Sequence, residues 1–346
     1  MRVLFDTTYA ARAPYSGTGV YIDRITEALG RIDGIEIEAV ANRRRRRPAG
    51  GGLGSLRNLL TDRWWTAVEL PRIARRVRAD VVHHPLPAIA RATPVAQVVT
   101  VCDLAFERLP ERFNRAFRLY AHTTHRASTL AAGAVICISN TTAADARELW
   151  GVPSDRIVVA PLGPGQAQPG DGATRPQEPT HFLYVGDQEP RKNLAVLLDA
   201  YCIYREASER PLDLVLAGSA SAQMAGVKVE SRPDRSRLVA LYRSAAALVH
   251  PSLYEGFGLT ALEAMSAGTP VLAADAPGVR EVCADAARYA DPQDPAEFAA
   301  AMGQLAAEPQ LRGELGRRGR LRAAKFSWDG CARAHLDAYS LAQKRA

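Results

Sequence analysis

The sequence predicts an α/β protein of two domains, each with a parallel sheet covered by helices. Short apolar runs recur along the 346 residues, and stretches with helical periodicity lie between them. Many runs are continuous rather than alternating, which is typical of strands buried on both faces of a sheet. The length is sufficient for two ordinary domains, each with its own core.

Nine apolar runs bounded by turn residues are predicted to be strands. They cover residues 2–5, 80–83, 95–101, 135–138, 157–160, 182–185, 214–217, 246–250 and 270–273. The clearest helix is predicted over 193–208, where five side chains share one face: Leu194, Leu197, Leu198, Tyr201 and Cys202. Alternating strands and helices give parallel sheets, and ligands bind at the carboxyl ends of their strands or between domains.

Two segments interrupt this pattern. The stretch 163–180 is rich in Gly, Pro and Gln and lacks apolar periodicity. It predicts a first domain over 1–165, a linker over 166–180 and a second domain over 181–325, with a cleft between the two facing domains. The segment at about 43–55 joins an arginine run to a glycine run, which predicts a mobile loop inside the first domain.

Composition excludes several classes of protein. Hydrophobic residues make up 47% and charged residues 23%, as in a soluble globular protein. No run approaches ~20 apolar residues, so we expect no transmembrane helix, and the N-terminus leads directly into a predicted strand. We therefore expect a cytoplasmic protein. The five cysteines are far apart, which excludes the usual zinc and dithiol spacings.

The net charge of +7 comes from one segment. Residues 43–78 contain eleven arginines against Asp62 and Glu69. The run of Arg43, Arg44, Arg45, Arg46 and Arg47, with Trp64 and Trp65 downstream, could contact an anionic membrane at the inner face or a lipid-linked phosphate. The alternative is a solubilising loop with both tryptophans packed inside. No nucleic-acid module is recognisable, so we expect no nucleic acid.

The densest motif covers residues 250–271. A strand ends near His250, a glycine-bracketed turn follows, and a helix begins near Leu259. Gly256 and Gly258 let the backbone approach a ligand, and the unpaired N–H groups of the helix start favour an anion such as a diphosphate. Glu255 precedes the helix, whose positive end keeps it ionised, and Glu263 lies one turn inside, able to bind ribose hydroxyls. Alternatively, the glycines only shape a turn and the glutamates cap the helix or face solvent.

Two cations follow the strand predicted at 182–185. Arg191 and Lys192 precede Asn193, a residue type that favours the N-cap position of the next helix. Cations beside a helix N-terminus oppose its dipole unless an anion such as a diphosphate lies between them. The alternative is a solvated helix start.

Residues 250–271 resemble the signature of the retaining glycosyltransferases of family 4, which have the GT-B fold of two Rossmann-like domains. The signature has the form E-G-F-G-x-x-x-x-E-A-M-x-x-G-x-P-V, and every fixed position from Glu255 to Val271 is present. Segments at 186–193, 216–218, 241–245 and 326–328 agree with the family in order. The resemblance covers nearly the whole chain and is closest to members that use GDP-mannose. We expect the C-terminal helix at 326–346 to cross back to the first domain.

The resemblance implies a donor site in the second domain. Its residues are Gly186, Arg191, Lys192, Glu255, Gly256, Phe257, Gly258, Leu259 and Glu263. Glu255 would hold the sugar hydroxyls, Glu263 the ribose, and the two cations the diphosphate. No D-x-D carboxylate pair is present, which suits a class that generally works without an essential metal. We expect no cofactor and no metal.

In the first domain, two features bear on the reaction. Gly17 and Gly19 resemble the family's glycine loop over the donor phosphate; Ile22 replaces the third glycine of a dinucleotide fingerprint, which argues against an NAD enzyme. The family usually has His-Asp where this chain has Cys102 and Asp103. A protonated thiol is a poor base, although Asp103 could still help order the site. His83 and His84 end the preceding strand and could either compensate or have ordinary structural roles.

Together these features predict transfer of a hexose, with mannose from GDP-mannose favoured, to an unidentified hydroxyl of a glycan, a lipid-linked sugar or a small molecule. A UDP-sugar is an alternative donor. A non-catalytic, nucleotide-binding GT-B protein is the alternative that Cys102 suggests.

Overall fold

The computed structural model describes residues 1–45, 53–90, 92–165 and 178–346. The chain divides into two compact units, which we call unit 1 (Met1–Gly163 with Ser327–Ala346) and unit 2 (Pro164–Phe326). Each unit contains a six-stranded sheet whose described strand pairs are all parallel. The predicted α/β class with parallel sheets is confirmed.

The strands follow one another along both units. They are β1 (Arg2–Asp6), β2 (Glu36–Val40), β3 (Val81–His84), β4 (Ala96–Val101), β5 (Ala134–Cys137), β6 (Ile157–Val159), β7 (His181–Gly186), β8 (Asp213–Gly218), β9 (Val227–Ser231), β10 (Ala245–His250), β11 (Val271–Ala274) and β12 (Ala287–Ala290). Their order is β2-β1-β3-β4-β5-β6 in unit 1 and β12-β11-β10-β7-β8-β9 in unit 2.

Helices connect these strands. They are α1 (Gly17–Gly30), α2 (Leu53–Trp64), α3 (Leu70–Val77), α4 (Ala105–Arg108), α5 (Arg115–Tyr120), α6 (Arg126–Ala131), α7 (Asn140–Trp150), α8 (Leu194–Ala207), α9 (Arg235–Ser244), α10 (Leu259–Ser266), α11 (Pro277–Cys283), α12 (Pro295–Ala307), α13 (Pro309–Ala323) and α14 (Trp328–Gln343). In the described part of the chain, no helix has the length and apolar character needed to cross a membrane.

The sequence located the strands of the sheet interiors and missed three strands at sheet edges. All nine predicted runs are strands, with bounds shifted by a residue or so. The missed strands are β2, β9 and β12, each at the end of its sheet. Most of their residues are partly or fully exposed, so their sequences mix polar and apolar residues. Continuous apolar runs are typical of strands that are covered on both faces, and the edge strand β6, Ile157–Val159, is the one edge strand that has such a run.

The helix predicted over 193–208 is α8, with a slightly different buried face. Leu194, Leu197 and Tyr201 are buried as predicted. Leu198 and Cys202 are only partly buried, and buried positions are found instead at Ala200 and Tyr204. The helix therefore packs on the sheet through a face rotated slightly from the predicted one.

The basic segment is more ordered at its ends than predicted. The mobile loop was predicted over 43–55, but its last residues belong to α2, and residues 46–52 lie outside the described residues. Arg45 forms an ion pair of 3.1 Å with Asp62. Of the two tryptophans, Trp65 is buried with its Nε1 donating to Asp6, whereas Trp64 is 48% exposed. Most of the predicted linker, residues 166–177, also lies outside the described residues.

A chain of hydrogen bonds between buried side chains attaches α14 to unit 1. Tyr339 Oη lies 2.7 Å from His83 Nδ1, and His335 Nε2 lies 2.8 Å from Tyr21 Oη. Thr100 Oγ1 completes the chain, at 2.9 Å from His83 Nε2 and 2.8 Å from Tyr21 Oη. Helix α14 is thus part of the core of unit 1 although it follows unit 2 in the sequence.

The hydrogen bond at the His335 end of this series determines which atoms donate and which accept. His335 Nδ1 lies 2.8 Å from the carbonyl oxygen of Cys331, which can only accept, so Nδ1 carries the hydrogen. Nε2 of the neutral ring therefore accepts from Tyr21. Burial lowers the pKa of His335 to about 4. Burial, with the neighbouring imidazoles, also holds the pKa of His83 well below its usual value. Both rings are neutral at pH 7.

We expect unit 1 to lose stability in mild acid. The folded-state pKa of His335 is about 4, below an unfolded value of about 6.5, so the unfolded chain takes up the proton first as the pH falls. The stabilisation is complete above about pH 6.5 and declines toward pH 4, by about 1.4 kcal/mol per pH unit for each such histidine. All four tryptophans lie in unit 1, so urea unfolding followed by tryptophan fluorescence at pH 7 and pH 5 measures this decline.

The control for that experiment is an exposed histidine of the same unit. His122 is half exposed and lies outside the buried series of hydrogen bonds, so His122→Gln leaves that series intact. His335→Gln should reduce the pH dependence more than His122→Gln does. An unfolding free energy that is the same at pH 7 and pH 5 would contradict the assignment of neutral buried rings.

Candidate active site

Three strands of unit 2 end close together at the carboxyl edge of its sheet. Gly186 ends β7 and is the register partner of Gly218, which ends β8. A Cβ on Gly218 would lie 2.3 Å from Gly186 O, and the φ of Gly218 is +131°. Both facts require glycine there. His250 ends β10, and β10 pairs with the edge of β7 that faces away from β8. The side chains predicted to bind the donor follow β7 and β10.

The turn after β7 is fixed to the segment after β10 by Asn193. This residue has φ +56°, a left-handed conformation that asparagine tolerates. Its Nδ2 donates to Pro251 O at 3.2 Å and to Pro292 O at 2.7 Å. Asn193 is the N-cap residue of α8, as predicted, but its side-chain amide makes these longer-range bonds and no cap bond.

Arg191 and Lys192 lie in a 3₁₀ turn and pair with Glu255. Lys192 Nζ is 2.5 Å from Glu255 Oε1, and Arg191 Nη1 is 3.3 Å from Oε2. Arg191 Nε also donates to Glu189 at 2.8 Å. The side chains of Lys192, Arg191 and Glu255 are only 14, 16 and 10% exposed. The sequence identified these three residues separately but did not predict the pairing, although a carboxylate in an apolar turn needs a cation when it is buried.

Glu255 is ionised because of these cations. Burial by itself raises the pKa of Glu255, but the charges of Lys192 and Arg191, together with His250, hold it well below its usual value of 4.5. The low pKa agrees with the expected ionised state, and direct ion pairs are its cause.

The predicted helix start is confirmed at Leu259, the first residue of α10. Gly258 before it has φ +98°, which favours glycine. The side chain of Phe257 is 3% exposed and packs edge-to-face on Phe326 with ring centroids 5.7 Å apart. Any contact of Phe257 with a ligand would therefore come from its backbone.

Glu263 points neither to solvent nor to the helix end. It is 4% exposed, and its Oε2 accepts a 2.8 Å hydrogen bond from Tyr242 Oη. The backbone of Gly165 lies beside the other oxygen, since a Cβ there would be 2.1 Å from Oε1. The capping and solvent-facing alternatives for Glu263 are excluded. Tyr242 received no role from the sequence, because its distance from Glu263 along the chain hides the contact.

Gly278 is a second residue that sequence reasoning missed. It lies in α11, and a Cβ on it would be 2.0 Å from Glu255 O. Its lack of a side chain lets α11 approach the backbone of the Glu255–Gly256 turn. The only sequence signal is a glycine directly after a proline at a helix start.

In unit 1, Gly17 and Gly19 lie in the first turn of α1 rather than in the predicted loop. Ser16 caps this helix, with Oγ accepting from Gly19 N at 3.1 Å. A Cβ on Gly19 would lie 2.2 Å from Ala13 O, whereas one on Gly17 would meet nothing within 4 Å. Close packing of the chain at residue 13 therefore requires glycine at 19 and not at 17.

Cys102 and Asp103 follow β4. Burial, and then the charge of Asp103, raise the pKa of Cys102 to about 12, so the thiol is protonated at pH 7. Its Sγ lies 3.9 Å from Pro85 O. Asp103 Oδ1 accepts from Ala105 N at 3.1 Å, which fixes the start of α4. Cys102 is thus chemically unlike the imidazole it replaces.

His83 and His84 are buried in β3, at 0 and 1% exposure. Both ring nitrogens of His83 belong to the hydrogen-bond chain that holds α14, so neither is left for a ligand. His84 Nε2 lies 3.1 Å from Gln97 Oε1. These contacts give His83 a structural role, because strand β3 lies inside the sheet and is covered on both faces.

Both halves of the chain match glycosyltransferase families. The family model described as glycosyl transferases group 1 matches residues 171–322, and the one described as glycosyltransferase family 4 matches residues 15–163. Sucrose-phosphate synthase from Thermosynechococcus elongatus has a similar fold, with a TM-score of 0.81 at 19% identity over the whole of both chains. The chain is a GT-B glycosyltransferase.

Two relatives indicate the range of activities among similar glycosyltransferases. O-antigen chain mannosyltransferase B of Escherichia coli is 28% identical over 266 residues, which are 70% of each protein. A D-inositol 3-phosphate glycosyltransferase of Nocardia farcinica is 31% identical over 325 residues, 82% of this chain and 66% of that protein. The matches thus span about two thirds of the length of these relatives.

We expect Lys192 to stabilise unit 2 through Glu255. Lys192→Met should destabilise it by about 3 kcal/mol, because the nearer of two cations is removed from a buried carboxylate. The double variant Lys192→Met/Glu255→Gln should lose less, since no uncompensated charge remains. Hydrogen exchange of the amides in β7 and β10 measures both changes.

Lys228→Met is the matched control for these variants. Lys228 pairs with Asp213 in the same unit but is 68% exposed, so its loss should cost at most about 1 kcal/mol. Equal destabilisation by Lys192→Met alone and by the double variant would show that the Lys192–Glu255 pair contributes nothing.

Proposed function

We propose that the chain is a retaining, metal-independent glycosyltransferase of family 4 that transfers mannose from GDP-mannose to an acceptor hydroxyl. The observation that carries this proposal is the buried cluster of Arg191, Lys192 and Glu255 beside the start of α10. Two largely buried cations at strand ends, next to a helix N-terminus, form a site suited to a diphosphate.

The donor diphosphate would exchange with Glu255 as the partner of the two cations. Arg191 and Lys192 would then stabilise the charge that develops on the leaving diphosphate, together with the first N–H groups of α10. Glu255, released from part of its ion pairing, would accept hydrogen bonds from the sugar hydroxyls. These cations and the helix end supply the positive charge that a metal supplies elsewhere. In the ranges that the structure describes, no cluster of three His, Cys, Asp or Glu side chains is placed to hold a metal.

Glu263 would bind the ribose. Tyr242 fixes its Oε2, so its orientation is set before the nucleotide arrives. Gly165 lies beside Oε1, where a side chain would clash with this oxygen. These contacts suit the diphosphate and ribose that GDP-mannose and UDP-sugars share. Mannose and guanine are supported by the resemblance of residues 250–271 and by the mannosyltransferase relative.

In a retaining transfer, the acceptor hydroxyl reaches the anomeric carbon on the face that the diphosphate leaves. The bond from the anomeric carbon to the phosphate oxygen breaks, a bond to the acceptor oxygen forms, and the acceptor proton passes to the departing diphosphate. A protonated thiol at Cys102 is no base, so this route suits the chain better than one through residue 102.

The acceptor would be a glycan, a lipid-linked sugar or a small molecule. The exposed Trp64 and the arginines before it favour a membrane-associated acceptor bearing phosphate. Arg44 and Arg45 already pair with Glu69 and Asp62, which reduces the charge available at that surface.

A non-catalytic nucleotide-binding protein is the second candidate. The observation that favours it is Cys102, whose raised pKa removes the acid–base chemistry of an imidazole at that position. Such a protein would bind nucleoside diphosphates and transfer no sugar.

Incubation with GDP-mannose, UDP-glucose and ADP-glucose and a panel of acceptors separates these candidates. We expect GDP release coupled to mannose transfer with retained anomeric configuration. Lys192→Ala should lower kcat/KM by about 10² to 10³, as does the loss of one donor to a developing anion. Lys228→Ala, on the exposed edge strand β9, should leave it unchanged. Near-normal transfer by Lys192→Ala would refute the diphosphate role, and nucleotide binding without transfer to any acceptor would favour the non-catalytic candidate.

A further inference from the structure

His250 is a buried polar residue to which the proposed function assigns no part. It ends the central strand β10 and is 2% exposed. A buried imidazole needs hydrogen-bond partners, since an unsatisfied nitrogen is costly to bury. The contacts of its two ring nitrogens therefore indicate what it does.

Each nitrogen of His250 faces one side chain of the site. Nδ1 lies 3.3 Å from Thr260 Oγ1, in the first turn of α10. Nε2 lies 3.4 Å from Glu255 Oε1 but makes no hydrogen bond among the described residues. Glu255 is ionised and can only accept, so Nε2 must carry the hydrogen. With one hydrogen on the ring, at Nε2, Nδ1 can accept from the hydroxyl of Thr260.

The distance between His250 Nε2 and Glu255 Oε1 is long because Lys192 holds the same carboxylate oxygen. The same carboxylate oxygen lies 2.5 Å from Lys192 Nζ, and a short ion pair draws it toward the cation. An ideal N–H···O distance is about 2.9–3.0 Å. Hydrogen bonds in empty active sites are often long and shorten when the ligand arrives. A donor diphosphate that attracts Lys192 would leave the carboxylate free to move toward His250.

We propose that His250 is a positioning residue, whose Nε2–H holds the Glu255 carboxylate toward the donor sugar while the diphosphate occupies Lys192 and Arg191, and that Thr260 selects the required tautomer. This inference rests on the proposed function. The two cations are shared with an anionic ligand, whereas the imidazole lies at the end of β10 and is not. His250 is therefore the donor to Glu255 that remains after the ligand binds.

Thr260→Val and Thr260→Ser test this assignment with little change of shape. Valine keeps the volume and removes the hydroxyl, whereas serine keeps the hydroxyl. We expect Thr260→Val to lower kcat about tenfold or more, because the carboxylate is misplaced, and Thr260→Ser to retain most activity. Equal activity of Thr260→Val and the wild type would overturn the proposal.

Nitrogen NMR of ¹⁵N-histidine-labelled protein gives a readout that a merely structural role would not move. The His250 signals are assigned by their absence from His250→Gln or His250→Asn. We expect the Nε2–H tautomer in the wild type, a shift of Nε2 on addition of GDP, and a mixture of tautomers with a smaller shift in Thr260→Val. An Nδ1–H tautomer in the wild type would overturn the proposal.

The addition of GDP in this NMR experiment also distinguishes a wrong role for His250 from a wrong proposed function. Binding of GDP with an unchanged His250 signal would overturn the role of His250 alone, and the proposed function would stand. Failure of GDP, UDP and ADP to bind would overturn the proposed function, and the role of His250 with it.

Discussion

The pairing of the buried Glu255 carboxylate with Lys192 and Arg191 is the constraint on which the rest of unit 2 depends. Removing an ion from water costs several kcal/mol, and only close partners offset that cost. Nearby backbone features serve this requirement. Asn193 takes a left-handed conformation to tie the cationic turn to the loop after β10, and Gly278 lets α11 close against the Glu255 backbone. The groups that would bind the donor also hold this part of unit 2 together.

In unit 1, buried polar side chains are satisfied without ion pairs along one series of hydrogen bonds. The series that runs from Tyr339 to His335 contains hydroxyls and neutral imidazoles, and the donor or acceptor role of each group is fixed by its neighbour. No charge is buried along it, so it can satisfy its own groups and needs no external anion. The cluster of buried ion pairs around Glu255 thus lies in unit 2, whereas the hydrogen bonds of unit 1 attach α14 without ions.

The sequence predicted what local pattern controls and missed what distant contacts control. Continuous apolar runs located every interior strand, and the glycine-bracketed motif placed the start of α10 correctly at Leu259. Three of the four edge strands, β2, β9 and β12, were missed because their exposure to solvent permits polar residues in them, whereas the apolar edge strand β6 was predicted. The bonds made by the Asn193 side chain were not predicted, because its partners, Pro251 and Pro292, lie far along the chain. The pairing of Lys192 with Glu255 and of Tyr242 with Glu263 depends equally on the fold.

The place of α14 in the chain has a consequence for synthesis. Tyr21, His83 and Thr100 belong to the segment made first, but their partners on α14 are made only after all of unit 2. While the polypeptide is synthesised from its N-terminus, the core of unit 1 lacks α14. The hydroxyl and imidazole groups that bond to α14 therefore lack these partners. Unit 2, which is continuous in sequence, can complete its own core earlier. The segment translated first is therefore the last to become fully folded.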